Sequence, residues 1–219
     1  MQPLIVELAG PAGCGKSALA ERLSAQPGVV RASVWRLPRV LLFASAVRSL
    51  PALVGLCRAT RSVSWILVSQ VVRLNALRLL VRRYLRDARL VVLDEGPVFA
   101  LSWLCVFGPP RLTNGRAERW WRKRGAEWAR LIDRVVLLDA PDPILTGRIR
   151  GRRKRDDVFR DFTDRQIVGL AAAYRAAFAH VLRHLAPASR VLTFSTEHAS
   201  VDQLVDGLAS VLEESRRGD

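Results

Sequence analysis

The sequence predicts an α/β fold that is built on a parallel sheet. Short apolar runs of strand length alternate along the chain with longer segments in which apolar residues recur at helical spacing. This alternation is typical of a parallel sheet with helices on both faces. With 219 residues, of which 50% are hydrophobic and 25% charged, the chain is long enough for one sizeable core. We therefore expect one three-layer domain over residues 1–219.

Five strands follow from the apolar runs at residues 3–9, 28–35, 88–96, 133–140 and 190–195. Helical spacing predicts helices at residues 17–23, 37–86, 97–107, 116–132, 142–149, 163–185 and 200–214. The long helical insertion at 37–86 is expected to break at Pro51 and near Gly55, and residues 108–115 to form a loop. The helix at 116–132 should bury one side, formed by Ala117, Trp121, Trp128 and Ile132, and pair Glu118 with Arg122.

Two apolar stretches, beginning at Val40 and Val63, are long enough to be confused with membrane spans. Arg48 and Pro51 interrupt the first stretch, and the second carries several polar residues at its centre. Both are therefore predicted as helices that are mostly buried in protein. Contact of their basic and apolar faces with a membrane surface stays an alternative.

The formal net charge of +15 comes almost entirely from arginine, because only three residues, Lys16, Lys123 and Lys154, are lysine. This charge suits nucleic acid, an anionic membrane or phosphorylated small molecules, and a general preference for arginine explains it equally well. Cys14, Cys57 and Cys105 are widely spaced, which argues against a zinc site or a disulfide framework. We expect a cytoplasmic location, since the chain also starts without an export signal.

A glycine-rich segment, LAGPAGCGKSAL at residues 8–19, joins the first strand to the first helix. It fits the pattern GxxxxGK[S/T], in which backbone N–H groups and the helix N-terminus hold phosphate oxygens. Lys16 would then reach the β- and γ-phosphates, and the Ser17 hydroxyl would bind Mg²⁺. The residues predicted to bind ATP here are Gly10, Ala12, Gly13, Cys14, Gly15, Lys16, Ser17 and Ala18.

Two carboxylates, Asp94 and Glu95, end the third strand. In a parallel sheet they face the same crevice as the loop after the first strand. A carboxylate there can hold Mg²⁺ or accept the proton of an attacking hydroxyl. We assign Asp94 to the metal and Glu95 to the base or to substrate binding, and the two roles are interchangeable at this point.

A basic cluster follows the fourth strand, and it comprises Arg148, Arg150, Arg152, Arg153, Lys154 and Arg155. Alone, such a run is usually a solvated face. Between the fourth and fifth strands of a phosphate-binding sheet, it is better interpreted as a lid over residues 148–160. Its guanidinium groups would stabilise the charge of the moving phosphoryl group, so Arg148, Arg152 and Arg153 are predicted catalytic residues.

Over nearly its whole length, the chain resembles the thymidylate-kinase-like branch of the P-loop nucleoside and nucleotide kinases. The resemblance implies the P-loop NTPase fold, with strand order 2-3-1-4-5 and the insertion at 37–86 on the acceptor side. It also implies that Arg36, in the segment WRLPR, binds the acceptor, although Leu37 replaces the family's glutamate. Asp94 matches the aspartate of the family's Asp-Arg pair. Glu95 stands at the position where the family has a phosphate-binding arginine.

The same resemblance places Arg148 on the family's helix arginine and puts the adenine beside Thr196 and His198. Trp103 is the tryptophan best placed to stack on an acceptor, although core packing is the commoner role of tryptophan. The predicted function is transfer of the γ-phosphoryl group of ATP to a nucleoside monophosphate or a related small acceptor.

Two alternatives stay open. The first is a kinase for a hydroxyl group on a nucleoside, antibiotic or sugar-like molecule, with Glu95 as the base. The second is a P-loop ATPase or switch that binds a membrane or nucleic acid. Within the kinase prediction, the partner is a small-molecule phosphate acceptor, nucleic acid is not expected, and a homodimer is left open.

Overall fold

The strands form one sheet at the centre of the molecule. The structure, a computed structural model, describes residues 3–34, 38–113, 115–152, 159–185 and 190–217. Within these ranges the five strands are β1 (Leu4–Ala9), β2 (Val29–Ala32), β3 (Leu90–Asp94), β4 (Arg134–Asp139) and β5 (Val191–Ser195). Their order is β2-β3-β1-β4-β5, and every neighbouring pair is parallel. The predicted fold and strand order are therefore confirmed.

The helices occupy the segments between the strands. Their bounds are α1 (Lys16–Ser24), α2 (Arg39–Thr60), α3 (Trp65–Tyr84), α4 (Pro97–Phe107), α5 (Gly115–Ala129), α6 (Asp142–Arg150), α7 (Asp164–Leu185) and α8 (Val201–Arg217). A 3₁₀ turn at Pro110–Thr113 lies within the predicted loop at 108–115.

Alternating strand residues divide the core into two parts, one on each face of the sheet. Ile5 faces one part, which α3, α4, α5 and α7 complete, whereas Val6 faces the other, which α1 and α8 complete. Because successive side chains of a strand point to opposite faces, apolar residues at both positions give a sheet that is covered on both sides. The three layers follow directly from this pattern.

The register of the sheet aligns the carboxyl ends of the strands along one edge. Leu8 of β1 lies beside Asp94 of β3, and Asp139 of β4 lies beside Ser195 of β5. The loops that follow β1, β3, β4 and β5 therefore share one crevice, as expected for ligand sites of open parallel sheets.

The predicted breaks at Pro51 and Gly55 are wrong, because α2 runs without interruption from Arg39 to Thr60. Pro51 lies on the exposed side of α2, as does Val47, whose carbonyl loses its helical donor to the proline. The chain turns instead at Arg61, whose φ of 53° is left-handed. Residues Ser62–Ser64 then lead into α3.

The prediction of two mostly buried helices is correct for α3 and wrong for α2. The buried residues of α2 are only Ser45, Ser49, Leu53, Leu56 and Thr60. In the part of the chain that the structure describes, α2 is also the one helix that is long and apolar enough to cross a membrane.

The prediction for α5 is confirmed in its packing and wrong at its end. Ala117, Trp121 and Trp128 are buried, and Arg122 contacts Glu118 at 2.7 Å. The helix stops at Ala129, and Ile132 is buried beyond it, next to β4.

Candidate active site

Glycines shape the loop between β1 and α1. Gly10 and Gly13 have φ values of 144° and 87°, which favour glycine. A Cβ atom on Gly10 would lie 2.1 Å from the carbonyl oxygen of Leu138, and one on Gly13 would lie 2.9 Å from that of Leu145. The loop is therefore pressed against β4 and α6, which fixes its path.

The third glycine of the loop, Gly15, faces open space. Its φ is 93°, and no atom lies within 4 Å of the position that a Cβ would occupy. Gly15 is also the N-cap residue of α1, where no side chain caps the helix and no acidic residue occurs in the first turn. The N–H groups and positive end of α1 are thus open to an anion, and this cradle fits the phosphates of a nucleotide.

The side chain of Lys16 folds back over the loop. Its Nζ donates hydrogen bonds to the carbonyl oxygens of Gly10 at 2.7 Å and Pro11 at 2.8 Å, and it lies 3.5 Å from Cys14 Sγ. The ammonium group therefore lies on the phosphate-binding loop itself. Ser17 and Ala18 are exposed in the first turn of α1, so the Ser17 hydroxyl is accessible to a metal ion.

Asp94 is the deepest carboxylate at the crevice. Its side chain is 7% exposed and forms an ion pair with Arg31 of β2 through Oδ2. The other carboxylate oxygen, Oδ1, is buried and has no hydrogen-bond partner. Mg²⁺ prefers oxygen ligands, so a free Asp94 oxygen and the Ser17 hydroxyl fit the metal of a bound nucleotide.

Glu95 has the left-handed backbone that a side chain rarely adopts, with a φ of 59°. Its side chain is 36% exposed, and Oε2 accepts a hydrogen bond of 2.5 Å from Arg73 Nη2 of α3. Left-handed residues other than glycine concentrate at functional sites. Glu95 is in contact with solvent while Asp94 is buried, and the two carboxylates pair with different arginines.

Aromatic rings surround this ion pair. The Arg73 guanidinium lies 5.4 Å from the centre of the Phe99 ring, and Phe99 stacks on Tyr174 of α7 at 6.3 Å. Trp103, which was predicted to stack on an acceptor, packs against Phe99 at 5.4 Å and Tyr174 at 5.9 Å, and its role toward an acceptor stays a prediction. Phe99 and Tyr174 are buried and Trp103 is partly exposed, and we call these three residues the aromatic wall.

Two donors in this wall have no partner. Arg73 Nε and the Tyr174 hydroxyl are buried without a hydrogen bond. Burial and the nearby charge of Glu95 raise the pKa of the Tyr174 hydroxyl, which therefore keeps its proton. Unpaired buried donors are costly, so they suit a ligand that accepts hydrogen bonds.

The sequence analysis missed Arg31, Arg73 and Tyr174. Arg73 could have been identified from the sequence as a candidate site residue, because it is a charged residue in the middle of the apolar stretch that begins at Val63. Nothing in the local sequence distinguishes Tyr174 from the other residues on the buried side of the amphipathic helix α7.

Glu7, a fully buried carboxylate in the middle of β1, was also missed. It accepts hydrogen bonds of 3.0 Å from the backbone N–H groups of Val98 and Phe99 in the first turn of α4. Gly96 is required beside it, because a Cβ there would lie 2.6 Å from the Glu7 carboxyl carbon. Glu7 thus fixes α4, which carries the aromatic wall, to the central strand.

We expect Glu7 to make stability depend on pH. Burial raises its pKa from 4.5 to about 8, against the lowering effect of the Val98 and Phe99 N–H groups and of Arg73. Between these two values the native state holds a proton that the unfolded state has lost, so the free energy of unfolding falls as pH rises. In Glu7→Gln this contribution is absent. Urea titrations from pH 4.5 to about 8 should therefore show that the free energy of unfolding falls less steeply with pH than in the wild type.

The matched control for this measurement is Glu118→Gln, since Glu118 is a partly exposed carboxylate in a surface ion pair on α5. Its stability should follow the wild-type pH curve. Parallel curves for the wild type and Glu7→Gln would contradict a raised pKa of Glu7.

Two segments that were predicted to contact ATP meet at the other end of the crevice. Arg148 of α6 donates hydrogen bonds to Thr196, at 2.9 Å to the hydroxyl and 2.6 Å to the carbonyl oxygen. The Thr196 N–H in turn bonds to the carbonyl of Asp139 at 2.8 Å, which joins the ends of β4 and β5. His198 lies on the surface, 3.5 Å from Glu197.

Arg175 of α7, which the sequence analysis did not identify, fixes the start of α6. It contacts Asp139 at 2.7 Å and Asp142 at 2.6 Å, and these carboxylates raise its pKa. Because α6 also packs on Gly13, this network positions the helix that carries Arg148 against the glycine loop.

The predicted lid lies only partly within the described residues. Arg152 is exposed just beyond the end of α6, and Arg150 pairs with Asp164 at 2.8 Å. Arg153 and Arg36 lie outside the described residues, so their roles stay predictions.

Comparison with known proteins agrees with this geometry. A protein family described as an AAA domain matches residues 5–178 of the chain. No curated protein sequence matches the chain.

Among solved structures, the fold is similar to that of thymidylate kinase from Candida albicans. The TM-score is 0.59 and the identity 13%, over 100% of this chain and 94% of the other. It is also similar to deoxyadenosine kinase from M. mycoides, solved with dATP, with a TM-score of 0.54 and 12% identity over 96% and 100% of the two chains. The YorR protein of Bacillus subtilis, solved with phosphorylated GDP, gives a TM-score of 0.51 and 16% identity over 97% and 98%.

These three likenesses concern the fold, and the family match covers most of the chain, including the glycine loop, both carboxylates and the aromatic wall. The chain therefore belongs to this AAA domain family, and it has the P-loop fold of the nucleotide and nucleoside kinases.

Proposed function

We propose that the protein is an ATP-dependent kinase whose acceptor is a hydroxyl group on a nucleoside-like molecule. The observation that carries this proposal is the pair of carboxylates after β3, in which buried Asp94 and half-exposed Glu95 separate into different environments. One oxygen of Asp94 is free for the metal of the donor nucleotide. Glu95 is then available to the acceptor.

The donor side rests on the glycine loop. Backbone N–H groups at Gly15 and the first turn of α1 would bind the triphosphate, and Lys16 would exchange its contacts with the loop carbonyls for contacts with phosphate oxygens. Mg²⁺, held by Ser17 and Asp94, supplies charge neutralisation and orientation of the phosphates when it is bound. Arg148 and Thr196 would lie at the nucleoside end of the donor.

The acceptor side rests on Glu95 and the aromatic wall. Glu95 can accept the proton of an attacking hydroxyl, and Arg73 holds its carboxylate in place. Trp103, the partly exposed ring of the wall, would stack on a planar base, whereas Phe99 and Tyr174 are buried and pack against it. The free Arg73 Nε and the Tyr174 hydroxyl supply donors to the acceptor's polar edge.

A nucleoside monophosphate, the acceptor that the sequence favours, is the second candidate. Two arginines, Arg31 and Arg73, lie at the crevice and could bind an acceptor phosphate. Each is already paired with a carboxylate, however, and the negative charge of Glu95 opposes a phosphate. A hydroxyl acceptor avoids this repulsion, and for this reason we place it first.

A transfer assay tests the proposal and should give a labelled acceptor. The protein is incubated with Mg²⁺, γ-labelled ATP and separate pools of nucleosides, nucleoside monophosphates and sugar-like metabolites, and the labelled products are identified. A labelled nucleoside monophosphate supports the hydroxyl acceptor, and a labelled nucleoside diphosphate supports the second candidate. Release of inorganic phosphate that no acceptor changes would contradict both and indicate an ATPase. The cytoplasmic location stays a prediction.

A further inference from the structure

The outer face of α2 is apolar, although it faces solvent. Val40, Phe43, Val47, Leu50 and Val54 recur every three or four residues and so lie on one side of the helix. Val40 is 76% exposed and Phe43 72%. The face runs for about 21 Å along the helix axis. We call these five residues the α2 outer face.

The inner side of α2 is more polar than this outer face. Ser45 donates a hydrogen bond to the carbonyl of Val72 at 2.8 Å, and Ser49 accepts one from Asn75 at 2.7 Å, so both serines are tied to α3. A helix that packs on a protein core normally turns its apolar side inward. In α2 the inner side buries Leu53 and Leu56, yet an equally apolar side stays in solvent, which indicates that the outer face has an apolar partner of its own.

The charges around the face are of one sign. No aspartate or glutamate occurs between Glu21 and Asp87, so α2, α3 and their connection carry only positive charge. At 100° per residue, Arg39 falls at one edge of the outer face, Arg48 lies about 80° beyond the other edge, and Arg58 continues the face toward the C-terminal end of α2. All three arginines are exposed. Trp65 and Val63, 80% and 83% exposed, follow at that same end of the helix.

We propose that the α2 outer face binds the surface of an anionic lipid bilayer. An apolar strip with arginines beside it and a tryptophan at its end suits the boundary between lipid headgroups and acyl chains. Anionic headgroups complement the arginines, and each such contact strengthens the binding of a basic segment. Because Ser45 and Ser49 hold the other side of the helix against α3, α2 lies along the membrane and does not cross it.

A second copy of the chain fits this face less well. An isologous dimer would bring two such segments together, each rich in arginine and free of acidic residues. The excess positive charge would then have no partner in the interface. An anionic membrane supplies both the apolar layer and the opposite charge.

Vesicle flotation tests the proposal with the full chain. The wild type should float with vesicles of equal parts phosphatidylcholine and phosphatidylglycerol. With vesicles of phosphatidylcholine alone, it should remain at the bottom of the gradient. High salt should weaken the binding, because it screens the arginines. Phe43→Ser combined with Leu50→Ser should lower the bound fraction by at least about tenfold, since it removes two apolar groups from the lipid.

Charge variants separate this face from the general basicity of the chain. Arg39→Gln with Arg48→Gln should weaken binding on the order of tenfold. The matched control, Arg82→Gln with Arg83→Gln, removes two exposed arginines from the C-terminal end of α3 and should leave binding near the wild-type level. All these positions are exposed, and thermal melts followed by circular dichroism check that each variant is folded.

Three results would overturn the proposal. The first is a wild-type protein that does not bind anionic vesicles. The second is binding that the Phe43 and Leu50 substitutions leave unchanged, which would place the lipid contact elsewhere. The third is a wild-type dimer in sedimentation velocity that these two substitutions convert to monomer while vesicles have no effect, which would identify a second copy as the partner.

Discussion

Replacing Lys16 by alanine is expected to lower kcat for phosphoryl transfer by on the order of 10²–10³-fold. Lys16 is the cation of the glycine loop, and its Nζ already lies on the loop carbonyls of Gly10 and Pro11. The fold should survive, because the path of the loop is fixed by Gly10 and Gly13 against β4 and α6. Initial rates with labelled ATP and the acceptor found by the transfer assay measure the effect.

Lys123→Ala is the matched control for this variant. Lys123 is an exposed lysine on α5, away from the glycine loop, and its loss should leave kcat unchanged. Near-normal transfer by a folded Lys16→Ala protein would rule out the assignment of the loop to the donor phosphates.

Replacing Glu95 by glutamine is expected to lower kcat by about 10²–10⁴-fold with a hydroxyl acceptor, because a general base contributes on that scale. The amide keeps the size of the side chain and can still accept a hydrogen bond from Arg73. KM should change far less than kcat, since the aromatic wall is untouched. Steady-state kinetics over a range of acceptor concentrations separate the two constants.

The same variant distinguishes the two candidate acceptors. If the acceptor is a nucleoside monophosphate, the substitution removes a charge that repels the phosphate and weakens the hold of residue 95 on Arg73. KM should then fall, and kcat should stay unchanged. Glu118→Gln, a change at a partly exposed carboxylate in a surface ion pair on α5, is the control and should match the wild type. Unchanged kcat and KM with every acceptor would remove Glu95 from the site.

The fold could be predicted from the sequence to a large extent because its signals are local. Successive strand residues such as Ile5 and Val6 lie on opposite faces of the sheet, and both are apolar. This pattern alone predicts a sheet that is covered on both sides. The glycine loop could be recognised because its spacing reflects backbone geometry. The expected breaks at Pro51 and Gly55 failed, since a proline on an exposed helix face costs less than one in the core.

The sequence by itself was enough to predict the donor half of the proposed site. Gly10, Gly15, Lys16 and Ser17 lie within one segment of eight residues, and Asp94 is placed by the end of an apolar strand, so the proposed chemistry follows from neighbours along the chain.

Only the tertiary structure decided the acceptor half and the outer face of α2. Arg73, Tyr174 and Glu7 lie on three different elements, and they meet at Glu95 and Phe99 through packing that no local pattern encodes. Likewise, the sequence of an apolar helix does not show which side of the helix will face the protein core. The hydrogen bonds of Ser45 and Ser49 to α3 decide which side of α2 faces the protein, and they leave the apolar side outward.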